Sequence, residues 1–174
     1  MQESDYLDDQ PEFIERLKKI EAFASLSNEM LLEVLSLTRL RRYDPGETII
    51  KQGYLDSWVY ILINGEVGVT KDNTTLFVMR RGGDIFGEMG VIDASPRSAS
   101  IVALKPCLCL AMDTSVVDRM VGGKRDALHA VLFRLFAEVL AQRLRHTNEE
   151  LVHTKEENVR LREDQMAMKG RRIL

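Results

Sequence analysis

The sequence predicts an α+β fold in which short helices precede an antiparallel β unit and one long helix follows it. Between Tyr43 and Met112, turns rich in glycine and asparagine separate short apolar runs. Regular turns of this kind favour a small barrel or roll over a parallel sheet. From about Asp126 to about Met168 there is no Gly or Pro, which permits a helix roughly 60 Å long.

The N-terminal region is expected to hold a polar tail over residues 1–12 and then two short helices, with Ser27 as the N-cap of the second. Apolar residues recur at helical spacing in both helices. They are Phe13, Leu17 and Ile20 in the first, and Met30, Leu31, Val34 and Leu35 in the second.

Two further sequence patterns predict a turn and a short helix. Asn64-Gly65 lies between WVYILI and EVGVT and predicts a two-residue hairpin, because both turn positions require positive φ. A short helix is predicted after Asp113, a candidate N-cap, and is expected to end at Gly122-Gly123.

Composition excludes several classes of protein. The formal charge of -3 and the pI of about 5.7 do not supply the basic field that recruits nucleic acid or an anionic membrane. Cys107 and Cys109 lie two apart in an apolar run, a spacing that is poor for a bridge and suits two buried thiols in a reducing, cytoplasmic setting. The absence of an 18-residue apolar run and the acidic start argue against a spanning helix and a signal peptide.

The segment from Asp84 to Ala103, DIFGEMGVIDASPRSASIVA, carries the candidate chemistry. Glu88 and Arg97 are charged residues in small or apolar surroundings, where an uncompensated charge is costly. The carboxylate of Glu88 suits a ligand hydroxyl, and the fork of Arg97 suits an anionic phosphate. Backbone N–H groups after Gly87 and near the small residues that follow Arg97 could bind the same phosphate.

A purely structural alternative fits the same residue types. Glu88 and Arg97 could form an internal salt bridge between two strand ends, with Gly87 and Pro96 making turns.

FGEMGVIDASPRSAS closely resembles the phosphate-binding cassette of the cyclic nucleotide-binding domain family. YDPGETIIKQG, WVYILINGEVGV and GGDIFGE are similar to the family's strands and glycines, and FASLSNEMLLEVL looks like its N-terminal helices. The resemblance covers about residues 20–145. It implies a β roll of the jelly-roll, or double-stranded β-helix, type flanked by helices, with the domain over residues 13–125.

The same resemblance implies the site. Glu88 would bind the ribose hydroxyl of a cyclic purine nucleotide and Arg97 its cyclic phosphate, and no other cofactor is expected. The remaining cassette residues would be Gly87, Met89, Ser98 and Ala99.

The helix over residues 126–168 is expected to dimerise. A heptad pattern places Leu144, Leu151, Asn158 and Gln165 at a, with Leu140, Thr147, Thr154 and Leu161 at d. Glu150 and Glu157 at g would face Lys155 and Arg162 at e of a parallel partner, and Asn158 would pair with its own copy. The predicted interface of the homodimer consists of Leu140, Leu144, Leu151, Asn158 and Leu161. The alternative is one helix docked on its own roll.

AQRLRHTN in this helix resembles the segment of bacterial regulators whose arginine lies near the ribose and whose last two polar residues contact the purine. The resemblance implies these roles for Arg143, Thr147 and Asn148, and it favours cyclic AMP over cyclic GMP. Ser98 does not decide between the two nucleotides. The alternative is a tolerated threonine and a solvated asparagine.

The sequence supports three functional hypotheses. The first is a cyclic-nucleotide sensor that presents its signal to an unknown downstream protein; the second is a nucleotide-free dimerisation module. The third is the truncated sensory half of a catabolite-activator-type transcription regulator.

Because the chain stops at MAMKGRRIL, with only a basic tail over residues 169–174, we do not expect direct DNA binding. His129, His146 and His153 assemble no metal or nucleophile set, so we expect no catalysis.

Overall fold

The computed structural model describes residues 2–4, the single positions 15, 18 and 23, and residues 27–171, with side chains up to residue 162. The chain forms two compact units, one up to Phe136 and one from Ala137 onward. The elements in chain order are β1 (Gln2–Ser4), α1 (Asn28–Ser36), β2 (Thr38–Tyr43), β3 (Thr48–Ile50), β4 (Trp58–Asn64), β5 (Val67–Lys71), β6 (Thr74–Met79), β7 (Ile85–Phe86), α2 (Glu88–Ile92), β8 (Ser100–Ala103), β9 (Cys107–Asp113), α3 (Ser115–Asp118) and α4 (Gly123–Arg171).

The strands form two antiparallel sheets. One has the order β1-β2-β9-β4-β7 and the other β3-β8-β5-β6. Apart from the paired strands β5 and β6, neighbours in each sheet are distant in sequence; β4, for example, pairs with β9 and β7. This arrangement confirms the predicted α+β fold with an antiparallel roll, preceded by a helix and followed by a long one.

Apolar side chains from both sheets form one core. Tyr60 stacks on Phe86 with ring centroids 5.3 Å apart and meets Tyr43 edge-on at 6.5 Å, geometries that aromatic pairs prefer. Cys107 and Cys109 are free thiols buried in this core. Burial is the largest influence on the Cys109 thiol and raises its pKa to about 12, so its thiol stays protonated near neutral pH.

The N-terminal predictions are confirmed where the structure describes them. Ser27 caps α1, its hydroxyl oxygen accepting the Met30 N–H at 3.2 Å. Most of the predicted first helix lies outside the described residues, although Phe23 is helical and buried. Within the predicted polar tail, residues 2–4 form β1, and Glu3 pairs with Arg41 at 2.8 Å across the strand pair.

The predicted hairpin at Asn64-Gly65 is wrong. β4 and β5, on either side of it, belong to different sheets, so the chain crosses from one sheet to the other at this point. Only Gly65 of the two has positive φ, at 108°. The turn with two positive φ values lies at Asp72-Asn73, between the paired strands β5 and β6.

The C-terminal predictions fare better. α3 follows Asp113, although Thr114 occupies the N-cap position, and the Asp113 carboxylate accepts the Ser115 N–H at 3.1 Å. The predicted end at Gly122-Gly123 is wrong, because α3 ends at Asp118. The long helix is α4, which starts at Gly123 after the positive-φ residue Gly122 and includes residues 169–171 of the predicted basic tail. Residues 172–174 lie outside the described part of the chain. Among the described helices, none is long and apolar enough to cross a membrane.

Replacing Gly65 should test the crossing between the sheets. A Cβ at Gly65 would lie 2.5 Å from the Pro106 carbonyl oxygen, whereas Gly46 has similar φ, 87°, and nothing within 4 Å of such a Cβ. Both alanine variants carry the cost of a left-handed residue, but Gly65→Ala should lose about 1–3 kcal/mol more from overpacking. Urea unfolding of both variants measures the difference. Equal losses would show that the backbone at Pro106 yields freely.

Candidate ligand-binding site

The site begins where β7 ends at Phe86. Gly87 has φ 89° and is the N-cap of α2. A Cβ added to it would lie 2.7 Å from the Trp58 carbonyl oxygen. This position therefore requires glycine for both its conformation and its close contact with β4.

Glu88 and Arg97 are the charged side chains that the described part of the chain buries. Glu88, the first residue of α2, is 1% exposed and Arg97 is 4% exposed. Burying an ion is costly unless it has partners. Each of these two side chains therefore requires a polar or charged partner, as expected from the sequence.

The Arg97 guanidinium is held from three sides. Nη1 donates to the Gly87 carbonyl, and Nη2 donates to the Trp58 carbonyl at 2.5 Å. Asp56 accepts a hydrogen bond from Nη2 and another from Nε at 3.3 Å. The two-point contact with Asp56 fixes the plane of the guanidinium as well as neutralising it.

One N–H of this guanidinium is not used in these contacts. Arginine has five N–H groups, and four are used in the contacts with Asp56, Gly87 and Trp58. The second N–H of Nη1 makes no hydrogen bond within the part of the chain that the structure describes.

Gly90 keeps the space beside Nη1 open. A Cβ there would lie 3.3 Å from Arg97 Nη1 and 3.0 Å from the Ser95 carbonyl oxygen. Together with Gly87, it lets the backbone of α2 pass close to the guanidinium.

The backbone of Arg97 is fixed by the loop between β3 and β4. The Gly53 N–H donates to the Arg97 carbonyl at 2.9 Å, and the Arg97 N–H donates to the Tyr54 carbonyl at 2.8 Å. The Gln52 N–H donates to the Ser100 hydroxyl at 3.0 Å. The position of Arg97 is therefore set by its main chain as well as by its side-chain partners.

Asp56 is ionised at neutral pH. Burial alone would raise its pKa, but hydrogen bonds from the Arg97 guanidinium and the Trp58 N–H, together with the charge of Arg97, hold the pKa below its ordinary value. Arg97 therefore forms an ion pair with Asp56. The structural alternative drawn from the sequence paired Arg97 with Glu88 and did not include Asp56.

The other predicted site residues fall into two groups. In the cassette, Met89 and Ser98 are exposed and Ala99 packs partly buried against the core of the roll; their contribution to binding stays a prediction. The remaining three residues, Arg143, Thr147 and Asn148, belong to the second unit as part of α4, and their predicted roles also stay predictions.

Sequence reasoning missed Asp56, Gly90 and the carbonyl of Trp58. Asp56 is 41 residues from Arg97, and an aspartate before a strand is ordinarily a solvated turn residue. The glycine at position 90 was visible inside the short α2 segment, where glycine is disfavoured unless something packs against it.

Comparison with known proteins agrees with this geometry. Residues 40–123 match the family model described as the cyclic nucleotide-binding domain. The chain is 31% identical over 127 residues to a cGMP-dependent protein kinase from Eimeria tenella, covering 72% of this chain and 12% of the kinase. It is 27% identical over 112 residues to a cAMP-dependent protein kinase regulatory subunit from Debaryomyces hansenii, covering 64% of this chain and 25% of that subunit.

The chain thus spans no more than a quarter of the length of these two relatives. Among solved structures, a cyclic nucleotide-binding domain from Methylobacillus flagellatus superposes with a TM-score of 0.69 at 25% identity, covering 81% of each chain. The family match and the fold coincide, so residues 40–123 of this chain form a cyclic nucleotide-binding domain.

Proposed function

We propose that this protein is a regulatory sensor that binds one cyclic purine nucleotide per subunit and acts through binding rather than catalysis. The observation that carries the proposal is the buried Arg97 guanidinium, which is oriented by three neighbours and keeps one Nη1 N–H for a further acceptor. A phosphodiester oxygen is such an acceptor, and the charge-assisted hydrogen bond to it would form away from water.

Glu88 suits the other half of the ligand. Its carboxyl group is buried at the start of α2 and can accept a hydrogen bond from a ribose hydroxyl. The pairing of an acceptor for a hydroxyl with a cation for a phosphate matches the two polar ends of a cyclic ribose phosphate. The residues Gly87, Met89, Ser98 and Ala99 complete the proposed contact set.

We propose cyclic AMP as the preferred nucleotide. The relatives named above include one cGMP-dependent and one cAMP-dependent protein, so similarity alone does not distinguish the two bases. The preference rests on the resemblance of Thr147 and Asn148 to the purine-contacting residues of bacterial regulators, with Arg143 near the ribose.

Calorimetric titration with cyclic AMP and cyclic GMP tests the proposal. Arg97→Ala should weaken binding of both nucleotides by about 2–5 kcal/mol, the scale for removing one partner of a buried charged pair. Arg42→Ala, which removes an exposed arginine of β2, is the matched control and should bind normally. Circular dichroism of both variants checks that the roll is folded.

Nucleotide-free wild-type protein that binds neither nucleotide would contradict the sensor function. The nucleotide-free dimerisation module would then be the better description. Normal affinity in a folded Arg97→Ala variant would remove Arg97 from the site.

Asp56→Asn should weaken binding by a smaller amount. The amide preserves the shape of Asp56 but loses the charge that orients Nε and Nη2. Because the Asp56 side chain is 37% exposed, we expect a loss of only about 1 kcal/mol. The control is Asp44→Asn, at an exposed turn residue. Tighter binding by Asp56→Asn would show instead that Asp56 competes with the phosphate for Arg97.

We further propose that the second unit forms a parallel coiled-coil homodimer. Three of the predicted seam leucines are largely open to solvent in the single chain: Leu144 is 62% exposed, Leu151 50% and Leu161 54%. Apolar residues repeated on one face of an isolated helix favour association with a second helix.

Asn158 is suited to select the arrangement. Its Nδ2 donates to the Thr154 carbonyl at 2.9 Å within the helix, and the amide retains a second N–H and a carbonyl oxygen. Two copies could therefore exchange hydrogen bonds across a parallel seam.

Asn158→Lys should lower the fraction of dimer, because two like charges would face each other at an a position. Sedimentation equilibrium measures the change. His153→Lys adds the same charge at the exposed c position and should leave the mass unchanged. A wild-type mass for Asn158→Lys would exclude Asn158 from the interface.

A further inference from the structure

The loop of residues 51–57 contacts the cassette and the residue pair just before helix α3 through two consecutive side chains. Asp56 accepts hydrogen bonds from the Arg97 guanidinium. The hydroxyl of the next residue, Ser57, donates to Asp113 Oδ1 at 2.5 Å. Only the peptide unit between residues 56 and 57 separates the two contacts.

Ser57 also holds the start of α3 through its backbone. Its carbonyl oxygen accepts the Thr114 N–H at 3.0 Å and the Thr114 hydroxyl, also at 3.0 Å. Thr114 is buried, so these hydrogen bonds are shielded from competing water. Asp113 Oδ1, which binds the Ser57 hydroxyl, also accepts the Ser115 N–H in the first turn of α3.

The connection from Asp56 to Ser57 is stiff. Asp56 Oδ1 accepts the Trp58 N–H at 2.9 Å, which closes a turn around Ser57, and the intervening peptide units are planar. Trp58 then pairs with Asp113 in the β4–β9 ladder. A shift of the Asp56 carboxylate must therefore move Ser57 as well.

We infer that Ser57 and Asp113 are positioning residues that couple ligand occupancy at Arg97 to the N-terminal end of α3. The inference rests on the proposed function and extends it to the route of the response. A phosphate bound by Nη1 would pull the guanidinium toward itself. Asp56 would follow through its hydrogen bonds from Nε and Nη2, and Ser57 would transmit the displacement to Asp113 and Thr114. Because α4 begins at Gly123, soon after α3 ends at Asp118, α3 is placed to pass the change onward.

Backbone amides of α3 give a direct readout. The N–H groups of Val117, Asp118, Arg119 and Met120 donate to carbonyls of residues 114–117, so their exchange with deuterated water reports opening of this turn. We propose exchange measurements by mass spectrometry on the full chain, without nucleotide and with saturating cyclic AMP or cyclic GMP. The variants are Ser57→Ala, the hydroxyl-retaining Ser57→Thr and the remote control Ser36→Ala.

In wild-type protein and in Ser36→Ala, nucleotide should change exchange at residues 117–120 on the order of five-fold or more, the lower end of ordinary coupling between sites. In Ser57→Ala this change should fall below roughly two-fold, while residues 88–99 keep their nucleotide-dependent protection. Ser57→Thr should restore the response at α3. A purely structural role would shift exchange equally with and without nucleotide and would leave the difference intact.

The outcomes separate the two proposals. Nucleotide-dependent protection at residues 88–99 with an unchanged α3 response in Ser57→Ala would overturn the coupling and leave the sensor function standing. Loss of both responses in Ser57→Ala would assign Ser57 to binding itself and would also overturn the coupling. If wild-type residues 88–99 do not respond to either nucleotide, the sensor function fails and the coupling fails with it.

Discussion

The arrangement of the site depends on the cost of burying the Arg97 guanidinium. A cation that is 4% exposed must be given acceptors at fixed positions. They come from the end of β7, the start of β4 and the loop before β4, through Gly87, Trp58 and Asp56. β4 and β7 pair in one sheet, whereas Arg97 precedes β8 of the other sheet, so its side chain joins the two sheets at the cassette. Glycine at positions 87 and 90 is the steric consequence, because a side chain at either would crowd Nη1.

The sequence predicted what depends on neighbours along the chain. The Ser27 cap, the burial of Cys107 and Cys109 on one strand and the long α4 each follow from local spacing or propensity, and each is confirmed. The prediction of a hairpin at Asn64-Gly65 was wrong, because a turn sequence indicates a change of direction and does not determine which strands pair. Here the pairing of β4 with β9 and β7 decided the outcome.

The residues of the site also divide into those that the local sequence identifies and those that it does not. Glu88 and Arg97 lie nine residues apart in a segment that resembles a known cassette, so the sequence singled them out as charges that need partners, and both are buried. Asp56 could not be found in this way, because no local pattern connects an aspartate before β4 with an arginine 41 residues later. The proposed roles of Thr147 and Asn158 would require a second copy of the chain, and the structure of one chain bears on them only through the residues that it leaves exposed.

The existing pairing of Arg97 constrains the ligand that the site can accept. Asp56 already neutralises the guanidinium, and its low pKa keeps it ionised at neutral pH. On the proposed function, an arriving anion would therefore be stabilised by one Nη1 N–H and by backbone N–H groups of the cassette rather than by a free positive charge. Each additional negative charge on the ligand would be desolvated without gaining a counter-ion. On the proposed function, this balance favours a singly charged cyclic phosphodiester over a doubly charged phosphate monoester with the same base and ribose.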